Sequence, residues 1–298
     1  MNITLLASLE SVLGVPEYVG YIFVFVIGAA IGSFLNVVIY RVPNELSIVV
    51  PNSACPNCKT PIKPYDNVPI LGWLWLGGKC RSCKAPIAWR YPAVELLTAL
   101  MFMLTYWQIG FTPYLGVALV FVSSVIALIF IDSEHMILPN VITYPLFVLA
   151  LAVRVVFPMA FAGKYFADTA YFPAGLLAGY PAWAVSLACA LFGALVGGGS
   201  LWLVGEIWKR LRGVDAMGLG DVKMMFGVGA LLGWRLTILT IFLGAFSGAI
   251  IGVSSIIVKK DKDMQTQIPF GIFLGIGSIL ALLFGDRMIA WYLDRFVQ

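Results

Sequence analysis

The chain is 298 residues long, 61% hydrophobic and only 11% charged, with a mean hydropathy of +0.94. That composition excludes an ordinary soluble domain and describes a polytopic membrane protein whose surface mostly faces lipid. The formal net charge of +4 calls for no nucleic-acid partner, because the basic residues follow membrane topology.

Apolar runs fall near residues 19–39, 93–109, 114–131, 141–157, 181–205, 217–234, 236–258 and 268–285. They predict an all-α polytopic fold of about eight transmembrane helices. No Lys or Arg precedes Arg41, so the first helix lacks the basic region of a cleaved signal and is expected to remain. The loops 40–92, 206–223 and 259–267 hold fourteen of the nineteen Lys and Arg, and the opposite side and outer helix ends hold five. The positive-inside rule puts those three loops in the cytoplasm and both termini outside. Three regions are expected: a first transmembrane helix at 1–40, a cytoplasmic loop domain at 41–92 and a membrane-embedded core at 93–298. The outer loop 158–180, rich in Ala, Phe, Tyr and Gly, carries no readable chemistry.

The cytoplasmic loop contains Cys55-Pro56-Asn57-Cys58 and Cys80-Arg81-Ser82-Cys83, and Cys-x-x-Cys-Lys-x-Pro-Ile occurs in it twice. Two such knuckles facing each other would place four thiolates around one zinc ion, as in a zinc ribbon. The alternative is disulfides or idle thiols, and a reducing cytoplasm disfavours the former. A four-thiolate site is closed to water, so Cys55, Cys58, Cys80 and Cys83 predict a structural zinc that organises a loop too small to build its own core. Cys189, in the fifth apolar run, reads as a packed small hydrophobe.

Two acidic residues stand where a membrane protein tolerates them least. Asp132 closes the run Phe130-Ile131-Asp132-Ser133-Glu134, and Asp221 lies in Ala216-Met217-Gly218-Leu219-Gly220-Asp221-Val222-Lys223. A span of about 18–20 residues between Arg212 and Arg235 must include Asp221, and an ionisable residue there is a functional hypothesis by default. The topology sets both at the cytoplasmic border, which is the requirement for a pair of carboxylates to work together. Peptide hydrolysis by such a pair needs one ionised to activate water and one protonated to polarise the carbonyl. Gly218 and Gly220 would allow a tight turn and close approach of a substrate strand. A helix starting nearby would favour an anionic Asp221. Lys223 is a candidate for tuning the pair. The plainer reading is that the aspartates are interfacial and pair with Lys223 or with Lys209, Arg210 and Arg212.

The run from Ala216 to Lys223 resembles the signature of type IV prepilin peptidases, within the wider class of GxGD intramembrane aspartyl proteases. Other segments agree in order: Gly32-Ser33-Phe34-Leu35-Asn36-Val37 through Arg41-Val42-Pro43, the double Cys-x-x-Cys loop closed by Arg90-Tyr91-Pro92-Ala93-Val94-Glu95, Ile131-Asp132 through Leu138-Pro139, and Pro269-Phe270-Gly271. The family usually has an acid after Leu-Pro, where this chain has Asn140. The resemblance implies that Asp132 and Asp221 are a catalytic pair. It implies that the enzyme removes the basic leader from type IV prepilins and type II secretion pseudopilins, cutting after glycine at the cytoplasmic face of the bacterial inner membrane. It also implies N-methylation of the new N-terminal residue with S-adenosylmethionine.

No stretch independently demands S-adenosylmethionine. Gly197-Gly198-Gly199-Ser200 lies in an apolar run, where close helix packing explains it better than a nucleotide loop. Gly28 and Gly32, at small-xxx-small spacing, have the same explanation. Glu95 is either functional or paired with Arg90, and His135 reads as a solvated loop residue. Two other classes compete: an ion-coupled transporter, which would show repeated halves and midplane charges, and a non-catalytic zinc-stabilised assembly factor, which leaves the aspartates without work.

Overall fold

The computed structural model describes residues 10, 12, 14–158, 177, 179–214, 217–259 and 269–296, with side chains omitted from 255 to 259. The outer loop 158–180 therefore lies mostly outside the described residues. Those described are helical apart from turns and two isolated antiparallel bridges, Ala54 with Pro61 and Lys79 with Pro86. The chain forms two compact units, residues 1–127 and 128–298.

In the first unit, α1 (Glu17–Arg41) begins after Pro16, with Glu17 in its first turn and Arg41 in its last. Both charges complement the helix dipole. It packs against α3 (Arg90–Ile109) through small residues. A Cβ on Gly28 would lie 2.7 Å from the Ala99 Cα, and one on Gly32 would lie 2.6 Å from the Glu95 Cα. The expected close packing at both glycines is thus present, because only glycine lets these backbones meet. A short helix, α2 (Leu71–Trp75), lies in the loop between them. The boundary between the units falls within α4 (Pro113–His135).

The second unit contains α5 (Asn140–Val156), α6 (Ala182–Arg212), α7 (Leu219–Leu232), α8 (Trp234–Lys259) and α9 (Phe270–Phe296). Among the described residues, six helices are long and apolar enough to cross a membrane: α1, α3, α4, α6, the Trp234–Ser254 part of α8, and α9. The other two apolar runs form shorter helices. Asn140–Val156 has 17 residues and α7 only 14. At 1.5 Å per residue α7 is about 21 Å long, short of the ~30 Å hydrocarbon layer. Ten of its 14 residues are buried, and it touches α5, α6, α8 and α9. Protein surrounds this helix instead of lipid, so it has no need to match the bilayer.

Glycines make that burial possible. A Cβ on either Gly193 of α6 or Gly229 of α7 would strike the other's carbonyl oxygen, and one on Gly197 would strike that of Met225. Gly197, Gly198 and Gly199 lie in a π-turn at Leu195–Gly199 within α6. The packing explanation of this glycine run is therefore the one observed. The far end of α7 is held by fully buried Arg154, whose Nε and Nη2 donate to the carbonyls of Ala230 and Leu231 at 3.3 and 2.9 Å. These are C-terminal carbonyls left without helical partners.

Candidate functional site

Asp132 is buried near the end of α4, and Asp221 is buried in the first turn of α7. A third element brings them together. The first turn of α9 inserts Gly271, and a Cβ built there would lie 2.8 Å from Asp132 Oδ2 and 2.9 Å from Asp221 Oδ1. The two oxygens are therefore no farther apart than the sum of those distances. The Ile272 N–H donates to Asp132 Oδ2 at 3.1 Å, so the N-terminus of α9 directs its positive end at one carboxylate. Asp221 stands at the positive end of α7 itself.

Leu138 underlies the arrangement. It lies 2.9 Å from a Cβ on Gly220 and 3.0 Å from one on Gly271, so both positions must lack a side chain. Gly218 differs: a Cβ there would meet Asp221 Oδ2 at an ordinary 3.5 Å. Its φ of −69° is open to any residue, and Gly220 likewise has no positive φ. Neither glycine makes a left-handed turn, and of the two only Gly220 vacates space that a side chain would fill. Lys223 donates to Asn140 Oδ1 at 3.0 Å and lies over the Tyr144 ring. It is therefore held by α5, and the residue in the acid's usual place is its partner. His135 is exposed at the end of α4.

Glu95, in the first unit, accepts the Ile70 N–H at 2.7 Å. Ile70 holds an unusual φ of +62°, so the carboxylate secures a strained loop residue. Residue types gave no warning of Gly271, Ile272 and Leu138 in the aspartate site. Pro269-Phe270-Gly271 was visible only as a resemblance.

In the cysteine loop, the sequence repeat is a geometric repeat. Cys55 N–H donates to the Thr60 carbonyl and Cys80 N–H to that of Ala85, while Lys59 and Lys84 N–H return to Cys55 and Cys80. Lys59 and Lys84 share a positive φ, 58° and 62°. The knuckles face each other with all four sulfurs within 4.8 Å. Cys55 Sγ is 3.7 Å from Cys83 Sγ, and Cys58 Sγ is 4.0 Å from Cys80 Sγ. A tetrahedral ion with ~2.3 Å Zn–S bonds requires sulfurs about 3.8 Å apart, so the donor set fits zinc. The Thr60 hydroxyl and backbone N–H hold the Cys58 thiol down to about 6, and backbone N–H groups of Cys83 and Ser82 also lower Cys80. The Cys58 thiolate is thereby favoured near neutrality, while Cys55 is raised from its ordinary value.

The model of the bacterial Peptidase A24 N-terminal domain matches residues 26–109, and that of the type IV leader peptidase family matches residues 119–253. The chain is similar to proteins named prepilin leader peptidase/N-methyltransferase. One from Pseudomonas aeruginosa is 37% identical, covering 90% of this chain and 91% of its own. One from Aeromonas hydrophila is 36% identical, covering 97% and 99%, and one from Legionella pneumophila is 31% identical, covering 92% and 94%. No solved structure matches the chain. Identity of 31–37% over 90–97% of the chain places it in the type IV leader peptidase family.

Proposed function

We infer that the chain is a membrane aspartyl endopeptidase that removes the leader of prepilins and pseudopilins, with Asp132 and Asp221 as its catalytic pair. The observation that carries this reading is the convergence of both carboxylates on Gly271. A water between them loses a proton to one carboxylate and attacks the scissile carbonyl, whose oxygen takes a proton from the other. The tetrahedral intermediate collapses when the first carboxylate returns its proton to the leaving amine and the second takes one back from a hydroxyl of the gem-diol, which restores the pair. The Ile272 N–H holds Asp132, and Gly271 carries no side chain to displace either carboxylate. Lys223 is engaged by Asn140 and Tyr144 of α5.

A prepilin has a basic cytosolic leader joined to an apolar helix. Its scissile bond then lies at the cytoplasmic border of the inner membrane, the depth inferred for the two aspartates. The relatives' name supports a second activity, N-methylation of the newly exposed N-terminus. S-adenosylmethionine would supply the methyl group. Cys55, Cys58, Cys80 and Cys83 would hold a structural zinc.

The reading is tested by cleavage of a model prepilin in liposomes. Asp132→Asn and Asp221→Asn, each folded and inserted like the parent, should lose about 10²–10⁴-fold in rate. Retained cleavage in either variant would break the pair. No cleavage by the parent chain would remove the peptidase reading.

A further inference from the structure

The loop between α1 and α3 exposes two apolar patches that hydrolysis does not use. In the first, Leu46–Val50, Val49 and Val50 are 75% and 64% exposed. Arg41, the last residue of α1, grips this segment. Its Nη1 and Nη2 donate to the carbonyls of Ser47 and Pro51 at 2.8 and 2.7 Å, and the Leu46 N–H returns to the Arg41 carbonyl at 2.9 Å. The patch is thus held at the end of a helix long enough to cross the membrane.

The second patch is one face of α2. Leu71, Leu74 and Trp75, at i, i+3 and i+4, share that face, with Leu74 59% and Trp75 55% exposed. The opposite face is anchored inward, since Trp73 Nε1 donates to the Ile87 carbonyl of the second knuckle at 3.1 Å. Glu95 ties the start of α2 to α3 through Ile70, and Glu95 lies in the second turn of that membrane helix. Both patches are therefore pinned to the loop-facing ends of the two helices that flank the loop. Residues 41–90 carry seven Lys and Arg against two acids, which suits anionic headgroups. Tryptophan is also the residue most at home at that boundary.

We propose that Leu46–Val50 and the Leu71, Leu74 and Trp75 face of α2 sit in the headgroup–acyl boundary of an anionic phospholipid membrane, laying the cysteine knuckles along its surface. Two pinned apolar patches within a basic loop match an interfacial element more closely than a solvated connector. The inference rests on the membrane reading of α1 and α3 and stands apart from the peptidase reading.

The test uses the full chain in nanodiscs of phosphatidylcholine and phosphatidylglycerol, with a photoreactive diazirine residue replacing Val49, Leu74 or, as an exposed control in a knuckle, Lys59. Trp75 takes the label where the Leu74 variant does not fold. Illumination should give phospholipid adducts at 49 and 74 several-fold above those at 59, rising with the phosphatidylglycerol fraction. Adducts at the control level would overturn the proposal. So would crosslinks from 49 or 74 to residues 128–298, because another part of the chain would then cover the patches.

Discussion

At the residue scale, the three glycines around the aspartates differ by what a methyl group would strike. At Gly271 it would meet both carboxylates, at Gly220 the Cβ of Leu138, and at Gly218 only an ordinary contact. Alanine at Gly271 should therefore cost the most cleavage, on the order of 10²-fold, because displacing a catalytic group by about 1 Å has that effect. Alanine at Gly220 should cost less, and at Gly218 least. Prepilin cleavage rates of the three variants check this order, and equal losses would show that glycine serves backbone flexibility instead. Asp132 and Asp221 were legible in the sequence because acids stand out in apolar runs. Gly271 was not, since a glycine's role depends on atoms that approach it from elsewhere.

At the element scale, α7 carries Asp221 at one end and is held by Arg154 at the other. Replacing Arg154 with Met keeps bulk but leaves the carbonyls of Ala230 and Leu231 without those donors. Unfolding free energy should fall by about 3–6 kcal/mol, given ~1.5–3 kcal/mol for each of two hydrogen bonds to a charged group. Thermal unfolding in detergent measures it, and an unchanged midpoint would mean that α7 is fixed by packing alone. Counting cations by side assigned Arg154 to the outer group; the fold instead buries it, because the end of α7 offers carbonyls that an arginine can satisfy. The knuckles were far easier to read, since their spacing is local and occurs twice. Metal analysis of the purified chain should find one zinc per molecule, and Cys55→Ser with Cys58→Ser should remove it. Zinc retained by that double variant would move the site elsewhere.

At the scale of the whole molecule, the eight apolar runs correspond to eight helices among the described residues outside the cysteine loop, six of them long enough to span. If α5 and α7 also carry the chain across, the C-terminus lies outside. Alkaline phosphatase fused after Gln298 should then be active, and a fusion after Val214 should be inactive. The opposite pattern would reverse the assigned sides. Composition by itself determined that the chain is a helical membrane protein, because lipid leaves the backbone few other ways to satisfy its hydrogen bonds. Local spacing determined the metal knuckles and marked the two aspartates. Only the tertiary structure decided that those aspartates meet. Their junction is the first turn of α9, where the bond from Ile272 to Asp132 crosses 140 positions of sequence. Periodicity and motif spacing describe neighbours along one chain segment; contact across that distance is set by which helices pack and by which side chains are absent where they cross.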